Sequence, residues 1–257
     1  MRPTLLPLAL LPLLVAVACT PSAPEPAAGP TAAPVREREP DENVEIDPLL
    51  ADAGVAHVVV AEAFLTEMVP ENNTDSLASW AAPDGSTWLL ATAKEGSKGL
   101  VLYDGDTGAT LRDIGSVGPG PGQFSRPNGI AVAGDLAFVV ERDNSRVQVL
   151  SLPDLETRLT FGEDALQKPY GLWIREHGAG DLEVMVSDAY MAGEDAVGED
   201  ILPPMDQLDR RIHRYRVRDN AGEPRAQAAG TFGDTTAAGA IRIPESLWGD
   251  VANDRVL

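Results

Sequence analysis

The chain has 257 residues, with 40 acidic side chains against 20 basic ones and a formal net charge of −20. So acidic a surface repels nucleic acid and anionic membranes, which excludes both as direct partners. Its one cysteine, Cys19, excludes an internal disulfide framework, so stability has to come from packing a chain that is 44% hydrophobic.

Arg2 precedes an apolar run over residues 5–17, and Ala16, Val17 and Ala18 stand directly before Cys19. A charged start, a short apolar run and small residues at the cut predict a secretory signal over 1–18. The run is too short and too interrupted by proline to span a membrane. Small residues before a cysteine resemble a bacterial lipobox, although Ala16 stands where Leu is usual. That resemblance implies a lipid-bearing Cys19 on an exported envelope lipoprotein facing the periplasm or the exterior, its only membrane contact. Ordinary secretion with cleavage near Ala18 is the alternative. Residues 19–48 are rich in Pro, Ala and Glu, and read as an extended tether. Residues 49–257 read as the folded domain, and 57–65 as a strand that pairs with the last blade of a closed ring.

Four short segments then share one pattern: Thr74-Asp75-Ser76-Leu77, Pro127-Asn128-Gly129-Ile130, Pro169-Tyr170-Gly171-Leu172 and Pro244-Glu245-Ser246-Leu247. Each opens a series of short strands. Second strands are expected at 88–94, 137–142 and 183–188, third strands at 99–104, 146–152 and 211–217. In the second series the runs 129–132, 136–140, 146–152 and 157–161 are separated by Gly134-Asp135, Asp143-Asn144 and Pro153-Asp154, which are turn signals. Each series closes near a glycine: Gly115, Gly162 and Gly233. Four-strand units recurring about every 40–50 residues predict an all-β chain of propeller blades. A β-sandwich is the competing architecture for many short strands, but it does not repeat its strand order.

The third unit carries an insertion at about 191–209 with Glu194, Asp195, Glu199, Asp200, Asp206 and Asp209, which reads as a solvated loop or a metal site. The basic segment 210–218 that follows reads as an exposed edge strand paired with that acidic loop. Asp104-Gly105-Asp106-Thr107-Gly108 is a hairpin turn, although half a calcium loop has a similar spelling. A fourth unit begins at Ile243 and stops inside its second strand. Three blades and part of a fourth would leave open sheet edges, so a longer, six-bladed protein, monomeric once complete, is expected.

The sequence lacks G-x-S-x-G, H-E-x-x-H, P-loop, G-x-G-x-x-G and C-x-x-C patterns. His57, His177 and His213 are scattered. What remains is positional. The repeat puts Asp75, Asn128, Tyr170 and Glu245 at equivalent places, and the second strands end on Lys94, on Glu141, Arg142 and Asp143, and on Asp188. Carboxylates with a Lys and an Arg around one opening suit a hard cation and a phosphate together. Equally, strand-end residues can simply cap turns.

At these residues the chain resembles the β-propeller phytase family. Asp75-Ser76-Leu77-Ala78-Ser79-Trp80 is similar to its D-D-P-A-x-W signature, and Ala91-Thr92-Ala93-Lys94 with Gly99-Leu100-Val101-Leu102-Tyr103 to its second and third strands. Tyr170-Gly171-Leu172 is similar to its Tyr-Gly-Phe. Arg142 and Glu245 fall where the family has a phosphate-binding Arg and a calcium-binding Glu. Ser76, Ser246 and Ala189 depart from the pattern. The resemblance implies Ca²⁺-dependent hydrolysis of a phosphomonoester such as phytate, with Asp75, Glu245 and Asp188 on the metal and Lys94, Arg142 and Tyr170 on the substrate. The stretch GPGPGQFSRPNG, residues 118–129, is similar instead to the opening of NHL repeats. This implies a mostly non-catalytic propeller that binds a protein or glycan. Both imply six blades. A metal-dependent lactonase on a similar propeller has no motif in its favour.

Overall fold

A computed structural model describes residues 60–96, 99–220 and 223–257, together with Gly54 and Ala56. The expected signal segment, Cys19, the tether and His57 lie outside the described residues. Every described strand belongs to the compact unit Ala61–Leu257.

Among the described residues the chain is all-β and builds three four-stranded antiparallel sheets, each a meander in sequence order. Sheet I comprises β1 (Thr74–Ala81), β2 (Thr87–Ala93), β3 (Leu100–Asp104) and β4 (Thr110–Ile114). A short parallel pair, β5 (Ser116–Val117) with β6 (Gln123–Phe124), leads out of it. Sheet II comprises β7 (Pro127–Ala133), β8 (Leu136–Glu141), β9 (Arg146–Ser151) and β10 (Thr157–Phe161). Sheet III begins with β11 (Pro169–Gly178) and β12 (Asp181–Asp188). The insertion follows as a hairpin of β13 (Gly193–Glu194) and β14 (Asp200–Ile201). Sheet III then resumes with β15 (Ile212–Asn220) and β16 (Glu223–Phe232). Near Leu257 lies a last hairpin, β17 (Gly249–Asp250) with β18 (Arg255–Val256).

The sheets stack face to face. Successive side chains of a strand point to opposite faces, and β8 uses both. Ala137 and Val139 enter a core shared with Trp80, Leu90, Leu100 and Phe124 of the preceding elements. Phe138 and Val140 enter a second core with Val184, Val186, Tyr215 and Val217 of sheet III. Sheet II is therefore apolar on both faces, which is why LAFVVE shows no hydrophobic–polar alternation. Strand β4, at the end of sheet I, is by contrast exposed except for Ile114.

One irregularity occurs three times. Thr74 pairs with Ala93, Pro127 with Glu141 and Pro169 with Asp188. In each case the register slips before pairing resumes at Leu77, Ile130 and Leu172. An extra residue is inserted into the first strand, which is a β-bulge. The bulges hold Asp75-Ser76, Asn128-Gly129 and Tyr170-Gly171, so the repeated sequence pattern marks a backbone irregularity.

Three expectations differ from the structure. Residues 60–65 form no strand; Val60 and Leu65 are exposed, and Phe64 lies against Gly108 of the β3–β4 turn. The basic segment is not an edge. Strand β15 lies between β12 and β16 and balances its charge on β12, where Arg216 and Arg218 pair with Asp181 and Arg214 with Glu183. The fourth unit's expected strands are replaced by the β17–β18 hairpin.

Candidate functional site

The bulges are joined into an arc by short contacts. Thr92, next to last on β2, accepts a hydrogen bond from Ser76 N–H at 3.0 Å and donates one to Asn128 O at 2.8 Å. Ser187, the equivalent residue of β12, accepts from Gly171 N–H at 2.8 Å and donates to Glu245 O at 2.8 Å. Each hydroxyl thus ties one bulge to the pattern segment that follows. In sheet II the equivalent residue is Val140, and close approach takes over. A Cβ on Gly129 would come within 2.8 Å of Tyr170 O, and one on Gly171 within 2.2 Å of Glu245 O. Glycine is needed there because backbone fills the space where a side chain would be.

Lys94 follows β2 and spans the arc. Its Nζ lies 2.9 Å from Asp75 Oδ1 and donates to Tyr170 Oη at 3.2 Å, 5.4 Å from the centre of that ring. Partial burial pulls the ammonium pKa down, but Asp75 and Tyr170 outweigh it and hold it above the usual lysine value. Residues of sheets I and III therefore meet in one polar cluster of carboxylate, ammonium and phenol. Asn128, at the equivalent place in sheet II, is fully buried, and neither its amide nitrogen nor its amide oxygen has a hydrogen-bond partner among the described residues.

The other candidates do different work. Asp188 is fully buried; its carboxylate accepts from Gln167 N–H at 3.0 Å and Lys168 N–H at 2.8 Å, with His213 Nε2 at 3.4 Å. It closes the turn into β11. Glu245 has an exposed side chain, while its carbonyl is taken by Ser187. Arg142 follows β8, half-buried, with its N–H bonded to Arg126 O at 3.1 Å. Among the described residues no three His, Cys, Asp or Glu side chains gather as a metal site. Asp75 is held by Lys94 and Asp188 by backbone amides, so of the three residues assigned to Ca²⁺ Glu245 alone presents an exposed carboxylate, which by itself does not make a calcium site.

Glu141 proves to be an anchor. Buried completely, it accepts from Arg146 Nε at 2.6 Å, Gln148 Nε2 at 3.0 Å, Asn144 Nδ2 at 2.5 Å and Ser125 N–H at 3.1 Å. Arg146 in turn donates to the carbonyls of Pro119, Gly120 and Gln123. The stretch that is similar to an NHL opening is thus a loop clamped by a buried ion pair. The polar letters of β9, Arg146 and Gln148, turn inward to hold it.

No protein-family profile matches the chain, and no curated protein is similar to it. Among solved structures it is similar to the computationally designed Ika4 protein, with a TM-score of 0.36 and 13% identity over 67% of this chain and 100% of that one. It is also similar to hydrazine synthase of Kuenenia stuttgartiensis, with a TM-score of 0.34 and 13% identity over 74% of this chain. The chain spans 55% of the length of that enzyme subunit.

Proposed function

We propose that the chain folds as β-propeller blades, of the NHL-like binding kind, whose opening takes up a small phosphorylated polyol. Three stacked meanders, each with a bulge at the start of its first strand, support the propeller reading. The observation that carries the binding site is Lys94, which bridges Asp75 of sheet I and Tyr170 of sheet III. An ammonium and a phenol donate to phosphate oxygens, and a carboxylate accepts from hydroxyls. Binding is favoured over hydrolysis because two of the three carboxylates assigned to a metal, Asp75 and Asp188, are committed to Lys94 and to backbone amides.

Hydrolysis of a phosphomonoester is the second reading, favoured by the same Lys94–Tyr170 pair. Calorimetric titration with phytate tests the first. Wild type is expected to bind, and Lys94→Met and Tyr170→Phe each to weaken binding by about tenfold, the loss of one charge-assisted hydrogen bond. A wild-type chain that takes up no phytate overturns the proposal. Ca²⁺-dependent release of phosphate by wild type, lost in Lys94→Met, would put the second reading first.

A further inference from the structure

The residue that precedes each bulged strand bonds back to the end of the second strand. Lys94 N–H bonds to Asn73 O, Arg142 N–H to Arg126 O and Ala189 N–H to Lys168 O. Asn73, Arg126 and Lys168 are therefore equivalent. Two of the three spend their side chains locally. Asn73 Nδ2 donates to Glu95 at 3.1 Å, and Lys168 Nζ to Asp200 at 2.7 Å.

Arg126 breaks the series. Asp143 stands where Glu95 stands in sheet I, yet the buried Nε of Arg126 has no hydrogen-bond partner among the described residues, Asp143 included. Its backbone is left-handed, at φ 49°, as is that of Asn73 at φ 43°. Asparagine adopts this region readily and arginine does not. The position therefore carries both backbone strain and an unmet donor, a combination that clusters at ligand sites. Arg126 also lines a cavity of about 240 Å³ between sheets I and II, with Lys94, Glu95, Phe124, Ser125 and Asp143 in its wall.

We infer that this cavity is a phosphoryl subsite in which Arg126 grips the oxyanion with its guanidinium fork and Lys94 supplies a second positive charge. This rests on the reading of the opening as a site for a phosphorylated ligand, and it names the group that holds the phosphate. A planar guanidinium matches a phosphate oxygen pair in a way that a lone ammonium does not. Asp143 and Glu95 in the same wall oppose the anion. With two basic and two acidic residues in its wall, the cavity suits a single phosphoryl group of a larger ligand.

The test is a titration of the full chain with inorganic phosphate against sodium chloride of equal ionic strength, read from amide shifts of Ser125, Arg126 and Asp143. Sodium acetate serves as the comparison anion. Arg126→Asn copies the residue of sheet I, so its fold is expected to hold, checked by an unchanged or raised melting temperature. It is expected to weaken phosphate binding by about tenfold or more, the loss of a charge-assisted pair. Lys168→Asn removes the same charge from the equivalent place in sheet III and is expected to change binding less than about twofold, which separates a specific contact from the overall field. Acetate is expected to bind more weakly than phosphate. Equal phosphate affinity in Arg126→Asn and wild type, or no phosphate binding by wild type, overturns the inference. Phosphate binding that depends on Arg126, beside phytate binding indifferent to Tyr170→Phe, would uphold this subsite while refuting the opening around Tyr170.

Discussion

Individual charges in this molecule are sorted by what they face. Arg211 is fully buried and donates to the carbonyls of Asp188, Tyr190, Ile241 and Arg242, and burial pushes its pKa below the usual arginine value. Burial likewise drives the Glu141 carboxyl above its usual value, although Arg146 and Asn144 pull against it. Asp181 is the opposite case: its hydrogen bonds to Arg216 hold the pKa below the ordinary aspartate range. A depressed pKa means the folded state binds the proton less tightly than the unfolded one. The pair therefore stabilises above the ordinary value of about 3.9, and its contribution is lost as pH falls through the lowered one. In urea melts at falling pH, Asp181→Asn is expected to lose less stability than wild type between neutral pH and about pH 3. Parallel acid limbs for the two proteins would show that the pair makes no contribution.

At the scale of elements, the bulges join sheet to sheet. Placing Ala at Gly171 would push a methyl into Glu245 O at 2.2 Å and Ser246 Cα at 3.2 Å, both backbone and unable to yield cheaply. Gly171→Ala is expected to cost about 1–3 kcal/mol, as overpacking does. Ser187→Ala is expected to cost about as much, by leaving Gly171 N–H and Glu245 O without their shared partner. Each is checked by chemical denaturation, and the exposed Trp248 near the chain end reports whether residues 244–257 detach first. A cost below about 0.5 kcal/mol for both would mean that the arc is not a structural joint.

Strand positions were legible because alternating or wholly apolar runs between Gly, Asn and Asp turns carry their own period. The repeat pattern was legible too, and Asp75, Lys94 and Tyr170 do come together. What the sequence hid was orientation. Glu141 and Asp188 share their register with Ala93, and the chain's letters do not say that both point inward. Arg146 reads as a solvent-facing member of an alternating strand, but the loop at 118–124 brings three carbonyls over it. The basic strand misleads for the same reason, since its partners Asp181 and Glu183 lie across a ladder rather than in the acidic insertion. Arg126 has no signal in one sequence except its place beside Asn73 and Lys168.

For the molecule as a whole, stacking three meanders brings residues from the first and third sheets into one polar cluster, and the proposed binding function depends on that meeting. The chain is well suited to a direct check, because it contains only three lysines, Lys94, Lys98 and Lys168, and four tyrosines. With ¹³C-labelled lysine, nuclear Overhauser contacts from the Lys94 ε-methylene can be assigned without crowding. Contacts to the Tyr170 ring protons are expected, vanishing in Tyr170→Leu and shifting when phytate is added. A Lys94 ε-methylene with no contact to Tyr170 would contradict the shared cluster, because sheets I and III would then not meet there.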